Sequence, residues 1–320
     1  MALLLREADV RALFPMSEAV RLVRRVFEES HRGRAVNQPR RRIKQQGCVF
    51  SSMSAGVEAD NAVGLKAYTA GRQGTAFMVA LWDSESGRLL ALIEADWLGR
   101  IRTGAASGVA TDALARPGAR SVGIIGSGSQ ARTQLEAVAA VRSIARVSVF
   151  SRSRERRDHF TAEMRELLGC DVLAVESPRA AVEEAEIVIT ITTSGTPTVL
   201  GDWLAVGTHV NAAGSNQPDR REVDTNVVRK SSVVAVDSVE QAKVEAGDLL
   251  IPVEEGALSW EDVTEIGGVL AGDRHGRTGD ADITLFKSLG VAIEDVTAAR
   301  YLYERAVAEG RGEQSSFGER

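Results

Sequence analysis

The segment at residues 122–132, V-G-I-I-G-S-G-S-Q-A-R, constrains the fold more than any other part of this sequence. A short apolar run rich in β-branched residues leads into Gly126 and Gly128, and a helical pattern begins directly afterwards. Gly126 permits a sharp turn because it has no Cβ, Gly128 lets the backbone approach a pyrophosphate, and Ala131 lets the helix pack closely on the strand. Free N–H groups at the helix start would hold the phosphates. Motif and context together predict a dinucleotide-binding strand–turn–helix unit.

Composition excludes several other classes of protein. The chain has 320 residues, 44% hydrophobic and 26% charged, which is typical of a soluble globular protein with two domains or one large one. A net charge of -5 gives no reason to expect nucleic acid or an anionic membrane as partner. Residues 1–10 lack the pattern of a signal peptide or a membrane span. Cys48, Cys170 and the four scattered histidines show no metal spacing, so we expect reduced thiols in the cytoplasm and no metal site.

The part of the chain before the glycine motif combines one helix with several strands. Residues 18–31 have helical periodicity, and residues 48–95 are β-rich with a hairpin turn at 84–87. Between them lies the basic run P-R-R-R-I-K at 39–44, which composition favours as a solvated edge strand, although one arginine could point inward to an anionic substrate. Lys66 lies within an apolar strand and could face solvent by alternation. If it faces a pocket instead, burial and neighbouring positive charge would lower its pKa and suit it to acid–base chemistry.

The residues after Arg102 are mostly small. The run from Thr103 to Ala110 predicts the start of a closely packed helix. Small residues on a helix allow tight helix packing, and they also allow the backbone to approach a bound ligand. Both interpretations are left open by the sequence.

From Ala119 onward strands and helices alternate, which predicts a doubly wound parallel sheet of the α/β class. The segment 186–194 is nearly all apolar and β-branched, as expected of a buried parallel strand. Its carboxyl end, Thr192-Thr193-Ser194, should face the cofactor crevice. The segment 253–277 is glycine-rich and gives no clear pattern. Further on we expect a strand at 282–288, a long helix from 291 to about 309, and frayed residues at 310–320.

The end of the second predicted strand of this sheet bears on which cofactor is used. Sites that prefer NAD usually place Asp or Glu there to hold the ribose 2′-hydroxyl. This chain has Ser151-Arg152-Ser153 instead. Arg152 and the two serines suit a 2′-phosphate through charge-assisted hydrogen bonds, whereas the alternative is that Arg152 merely caps a surface loop. The pattern favours NADP(H), with NAD(H) possible.

Six segments in a fixed order carry a family resemblance: P-R-R-R near Pro39, G-L-K-A-Y at Lys66, R-T-G-A-A-S at Arg102, G-S-G-S-Q-A at Gly126, N-A-A-G-S-N-Q-P-D-R-R-E-V-D at 211–224 and D-I-T-L-F-K-S-L-G-V-A-I-E-D at 282–295. Through them the chain resembles the ornithine cyclodeaminase/mu-crystallin family along nearly its whole length. The resemblance implies an α+β substrate-binding domain built from residues 1–113 and 295–320, which forms a homodimer through its sheet. It also implies a central dinucleotide-binding Rossmann domain at 114–294.

The resemblance also implies site residues. An arginine shortly after the proline, a lysine and a second arginine would surround the substrate, and these correspond to Arg41, Lys66 and Arg102. The motif does not separate Arg41 from its neighbours Arg40 and Arg42. The arginines would hold an α-carboxylate, with bidentate geometry available, and Lys66 would donate or accept the proton. The predicted cofactor-binding residues are Thr103, Gly126, Gly128, Ser129, Gln130, Ala131, Ser151, Arg152, Ser153, Thr192, Thr193 and Ser194.

One departure from the family pattern ranks the possible activities. Cyclodeaminating members carry an aspartate in the turn where this chain has Gly214-Ser215-Asn216. Asn216 cannot serve as a general base at neutral pH. With Arg152, this favours an NADP(H)-dependent imino-acid (ketimine) reductase, working equally as an amino-acid dehydrogenase, on a small cyclic or linear 2-imino acid such as pyrroline-2-carboxylate. The alternatives are an ornithine or lysine cyclodeaminase and a mu-crystallin-like NADPH-dependent ligand-binding protein.

Overall fold

The computed structural model describes residues 1–317 and divides the chain into two compact units. Unit 1 consists of Met1–Arg102 and Gly290–Arg320, and unit 2 consists of Thr103–Leu289. The sequence placed the divisions after residues 113 and 294. The two units divide after Arg102 and after Leu289, and the first division lies within one continuous helix, Asp96–Leu114. Within the described residues, no helix combines the length and apolarity that crossing a membrane requires.

The helices and strands occur in the following order along the described residues. The elements of the first part are β1 (Ala2–Leu5), α1 (Glu7–Leu13), α2 (Met16–His31), β2 (Ala35–Gln45), β3 (Cys48–Val57), β4 (Ala62–Gly71), β5 (Gly74–Asp83), β6 (Leu89–Glu94) and α3 (Asp96–Leu114). Those of the second part are β7 (Ser121–Ile125), α4 (Ser129–Val141), β8 (Arg146–Phe150), α5 (Arg154–Leu168), β9 (Asp171–Ala174), α6 (Pro178–Val182), β10 (Ile187–Thr190), β11 (His209–Ala212), α7 (Thr225–Lys230), β12 (Ser231–Val236), α8 (Val239–Glu245), α9 (Gly247–Glu254), β13 (Val263–Glu265), α10 (Ile266–Leu270), β14 (Ile283–Lys287), α11 (Ala292–Glu309) and β15 (Glu313–Ser315).

Unit 1 contains a seven-stranded sheet in the order β15-β1-β6-β5-β4-β3-β2. Helix α11 packs on one face, so closely that a Cβ added at Gly64 in β4 would lie 2.6 Å from Val296 of α11. The basic run lies in β2, at the edge of the sheet, as composition favoured. The expectation of a frayed segment after residue 309 is wrong for β15, which pairs antiparallel with β1. A short strand that is held by backbone pairing has no distinctive composition, so the sequence did not indicate β15. Residues 318–320 lie outside the described residues.

The opposite face of this sheet, which we call the outer face, is rich in apolar side chains. Ile43 and Phe50 are direct cross-strand neighbours there, and Val36, Val63 and Met78 lie on the same side by register. These five side chains are between 37% and 66% exposed in the isolated chain.

Unit 2 contains eight parallel strands in the order β13-β12-β14-β11-β10-β7-β8-β9, which confirms the predicted doubly wound α/β sheet. From β7 the chain proceeds outward through β8 and β9, then returns to β10 on the other side of β7. The carboxyl ends of β7 and β10 therefore flank the point where the strand order reverses. Ligands of open α/β sheets bind at such a point.

The small residues after Arg102 allow the second half of α3 to pack against α4. A Cβ at Gly104 would overlap the carbonyl oxygen of Thr133, and one at Gly108 would lie 2.9 Å from that of Ala137. Tight helix packing is therefore the interpretation of this segment that the contacts support.

Candidate functional site

A cavity of about 390 Å³ opens at the point where the strand order of unit 2 reverses. Its walls come from the segments that follow β7, β8 and β10. Of the predicted cofactor residues, Gly126, Gly128, Ser151, Arg152, Ser153, Thr192, Thr193 and Ser194 line it, together with Ile125, Ser127, Phe150, Arg156, Ile191 and Thr198. Ser129 and Gln130 begin α4 beside the cavity, Ala131 is fully buried, and the carbonyl of Thr103 accepts from Gln134, so these four do not form its wall.

The two motif glycines act for different reasons. Gly126 has φ +118°, and a Cβ there would overlap the carbonyl oxygen of Ile191. Gly128 caps the amino end of α4, and a Cβ there would meet no protein atom within 4 Å. The space beside the first turn of α4 is therefore open, and the helix directs its free N–H groups toward it. This geometry fits the pyrophosphate of a dinucleotide.

The rim of the cavity carries positive charge. Arg152 and Arg156 both line the cavity and are exposed, and none of the residues that the described chain contributes to the lining is Asp or Glu. Ser127 donates a hydrogen bond of 2.8 Å to Ser151, which donates in turn to the carbonyl of Ser153. Arg156 was not among the predicted cofactor residues. The basic run at the start of α5 could have indicated it, because this run places a second guanidinium one helical turn beyond Ser153.

A second constellation, in unit 1, surrounds Lys66. This lysine is 2% exposed, so it faces inward, and its Nζ donates to Asp295 Oδ1 at 2.6 Å. The same oxygen accepts from Arg102 Nε at 3.0 Å, and Arg102 Nη1 donates to Glu294 Oε2 at 2.8 Å. Both carboxylates are fully buried in the first turn of α11, where the helix dipole favours negative charge. Glu294 and Asp295 were not among the predicted site residues, since acidic residues at a helix start are ordinarily solvent-facing.

Two glycines make room for these side chains. A Cβ at Gly99 would lie 3.1 Å from Lys66 Nζ. Gly290 has φ +73°, and a Cβ there would overlap the guanidinium of Arg102. The carbonyl of Gly290 also accepts from Arg40 Nη2 at 2.9 Å, which ties β2 to the segment before α11.

Arg40, rather than the predicted Arg41, joins this group. Arg40 is 6% exposed, and its charge acts on Lys66. Arg41 is exposed and pairs with Ser52 on the outer face, and Arg42 is half-buried. A register irregularity in β2 between Gln38 and Arg41 decides which arginine points inward. The motif alone could not reveal this irregularity.

Burial, together with the charges of Arg102 and Arg40 and against the opposing effect of Asp295, lowers the pKa of Lys66 to about 8. Burial alone would lower the pKa of Arg102, but Asp295 and Glu294 outweigh it and keep that pKa above its usual value. Three cations, Arg40, Lys66 and Arg102, thus face two carboxylates. Lys66 can therefore hold or release a proton near neutral pH.

The turn at 214–216 follows β11 in unit 2. A Cβ at Gly214 would overlap the backbone of Thr192, so the turn lies directly against the segment that lines the cofactor cavity. Ser215 is buried and Asn216 is half-buried.

An open phosphate cradle at the point where the strand order of a parallel sheet reverses is the arrangement that binds dinucleotides, the class of cofactor that nicotinamide oxidoreductases use. A family model described as the ornithine cyclodeaminase/mu-crystallin family matches residues 2–310, and the chain belongs to that family. This confirms the resemblance predicted from the sequence.

Relatives along the whole chain agree with this assignment. The chain is 36% identical to a Delta(1)-pyrroline-2-carboxylate reductase of Bacillus cereus, over 97% of this chain and 98% of that protein. The structure of the Thermococcus litoralis Delta(1)-pyrroline-2-carboxylate reductase, in complex with NADH and L-proline, superposes with a TM-score of 0.94 at 37% identity, covering 98% of this chain and 100% of that one. An archaeal alanine dehydrogenase dimer with bound NAD gives 0.93 at 31% identity, covering 99% of each chain.

Proposed function

We propose that this protein is an NADP(H)-dependent imino-acid reductase, and equally an amino-acid dehydrogenase in the reverse direction. Its substrate is a small cyclic or linear 2-imino acid such as pyrroline-2-carboxylate. The observation that carries the proposal is the buried Lys66, whose pKa is about 8 and which lies among two arginines and two carboxylates. The Bacillus cereus and Thermococcus litoralis relatives, both named as reductases of pyrroline-2-carboxylate, support the same substrate class.

Each residue of the unit 1 constellation has a distinct role in this reaction. A bound nicotinamide would supply the hydride that the Cα of the C=N bond accepts. Arg40 and Arg102 hold the α-carboxylate, with Arg102 using Nη2, because Asp295 and Glu294 already engage Nε and Nη1. Lys66 gives its proton to the substrate nitrogen, so one hydride and one proton together convert the C=N bond to CH–NH. Asp295 fixes the positions of the Lys66 and Arg102 side chains and supplies a negative charge beside them.

The cofactor preference is proposed on the rim of the cavity. Arg152 and Arg156, without a carboxylate among the lining residues, suit the 2′-phosphate of NADP(H). The Thermococcus and archaeal relatives were solved with NADH and NAD, so weaker use of NAD(H) is part of the proposal. A cytoplasmic location stays a prediction.

We further propose a homodimer formed through the outer face. Contiguous exposed apolar side chains on a sheet mark an interaction surface. The archaeal alanine dehydrogenase relative was solved as a dimer, which supports a second copy of this chain as the partner.

The reaction is tested with a panel of cyclic and linear imino acids, each with NADPH and NADH, by following the absorbance of the reduced cofactor. Turnover with NADPH that is lost in Lys66→Met by roughly 10²–10⁴-fold, with cofactor affinity unchanged, is the expected result. Release of ammonia and formation of proline from ornithine without added oxidant would establish a cyclodeaminase instead. Tight ligand binding with no turnover across the panel would establish a binding protein.

A further inference from the structure

A second buried polar cluster, in unit 2, has no part in the reaction described above. It consists of Glu222, Asp248 and Lys287, each with 0% exposure, and we call it the Glu222 cluster. Removing two carboxylates and an ammonium from water is costly, and apolar side chains of similar size would often stabilise a fold as well or better. A fold that keeps such a cluster uses its contacts to hold particular segments in place.

Lys287, the last residue of β14, links two parts of unit 2. Its Nζ lies 2.8 Å from Asp248 Oδ2 and donates to the carbonyl of Ser215 at 2.6 Å. Asp248, in the first turn of α9, accepts from the backbone N–H groups of Glu222 and Val223 at 2.6 and 3.0 Å through its other oxygen. Lys287 thus holds the 214–216 turn directly and supports Glu222 through Asp248.

The carboxylate of Glu222 joins two segments at the carboxyl ends of β10 and β11. Its Oε1 accepts from Thr190 Oγ1 at 2.8 Å, from Thr192 N at 2.6 Å and from Thr192 Oγ1 at 2.7 Å. Its Oε2 accepts from Gly214 N at 2.6 Å. Two of these four contacts come from backbone N–H groups, which can only donate, so Glu222 accepts at both of its oxygens. Burial raises the pKa of Glu222, and the charge of Lys287 and the hydrogen bonds from Thr192 and Thr190 oppose that rise. One side chain therefore fixes both the segment that lines the cofactor cavity and the turn that abuts it.

We propose that Glu222, supported by Asp248 and Lys287, is a positioning residue for the nicotinamide cofactor. It holds the 192–194 segment, which lines the cofactor cavity, against the 214–216 turn. The cofactor is then bound by a preformed wall, and binding does not have to order this segment. The inference rests on the cofactor site of the proposed function and is independent of the imino acid and of the 2′-phosphate preference.

The test compares Glu222→Gln with wild type in cofactor binding and in thermal unfolding. Glutamine has nearly the same shape, but its amide NH₂ must face donors that the carboxylate accepted. We expect the NADPH dissociation constant, measured by fluorescence of the reduced cofactor, to rise at least 10-fold. His209→Asn is the control for stability alone: His209 is equally buried, lies at the amino end of β11, and bonds Thr284 and Asn211. It should lower the unfolding midpoint and leave NADPH affinity at the wild-type value.

If Glu222→Gln does not fold, a milder pair of variants at Thr190 tests the positioning role of Glu222. Thr190 is buried and does not itself line the cavity. Thr190→Val removes the hydroxyl that bonds Glu222 and also Thr198, and Thr190→Ser retains it. Weaker NADPH binding in the valine variant, restored in the serine variant, supports the positioning role. Wild-type NADPH affinity in both Glu222→Gln and Thr190→Val refutes the positioning role. An equal loss of NADPH affinity in His209→Asn, at the same unfolding midpoint as the Glu222 variant, also refutes it. If wild type itself binds neither NADPH nor NADH, the proposed cofactor is wrong and not merely this positioning role.

Discussion

Replacing Asp295 by asparagine removes the carboxylate that both Lys66 and Arg102 contact, while nearly preserving the shape of the side chain. Asp295 Oδ1 lies 2.6 Å from Lys66 Nζ, and its charge and hydrogen bond raise the pKa of that lysine. Burial and the charges of Arg102 and Arg40 act in the opposite direction and stay in the variant. The pKa of Lys66 should therefore fall below its value of about 8. An opposite charge at this range typically changes a pKa by about 1–3.

The sign of the pH effect follows from the role of Lys66 as proton donor. Reduction requires protonated Lys66, so the rate falls as pH rises through its pKa, and a lower pKa moves that fall toward acid. If the pKa falls to ~6.5, the protonated fraction at pH 7 drops about 4-fold relative to wild type, and at pH 8.5 about 25-fold. The variant should thus lose progressively more activity as pH rises. The reverse reaction, which needs neutral Lys66, should begin at lower pH than in wild type.

The assay is the pH dependence of kcat/KM for imine reduction with NADPH between about pH 5.5 and 9.5. Asp60→Asn is the matched control, because Asp60 is also a buried carboxylate of unit 1, bonded to Thr297 of α11 and to Arg25. It should lower stability without moving the basic limb of the profile. A profile for Asp295→Asn whose basic limb coincides with that of wild type would refute the assignment of Lys66 as the titrating donor held by Asp295.

Three further predictions test other parts of the molecule. Arg152→Asp should raise the KM for NADPH by ~10-fold or more and leave the KM for NADH nearly unchanged, so that the preference for NADPH over NADH narrows or reverses. Equal KM values for NADPH and NADH in wild type would contradict this prediction. Phe50→Glu on the outer face should convert the dimer to monomer in light scattering after gel filtration, whereas Val206→Glu, at a 69% exposed position of unit 2, should not; a wild-type monomer would remove the proposed interface. Burial lowers the pKa of His209 to about 3 from 6.5, so the unfolded chain binds the extra proton and stability falls as pH drops below 6.5, by about 1.4 kcal/mol at pH 5.5. Chemical denaturation of wild type and His209→Asn should show this loss only in wild type, and identical pH dependence would contradict it.

Local features of the sequence predicted most of the segments that line the cavity of unit 2. The positive φ of Gly126 and the open space at Gly128 follow from the order strand, turn, helix. A few neighbouring residues are enough to predict that order. The segment Ser151-Arg152-Ser153 was placed at the cavity because a parallel strand of known direction precedes it. The fold class followed from alternating periodicity for the same reason.

Features that depend on distant pairing could not be predicted. The sequence showed Lys66 in a strand, but which face it occupies depends on the register with β3 and β5. Arg41 was chosen over Arg40 because the irregularity in β2 has no sequence signature of its own. Asp295 lies 229 residues after Lys66, so nothing near either residue indicates their contact. Glu222 was not predicted as a site residue because its hydrogen-bond partners come from three separate segments.

The division of the chain has a consequence for how the protein is made. Unit 2 is one continuous segment, so it can fold while synthesis is still in progress. Unit 1 cannot, because Asp295 and Glu294, which neutralise Lys66 and Arg102, are translated only after all of unit 2. The first hundred or so residues, which contain the buried cations Arg40, Lys66 and Arg102, are therefore synthesised long before these two carboxylates. We expect this interval to be the stage of biogenesis most dependent on chaperones.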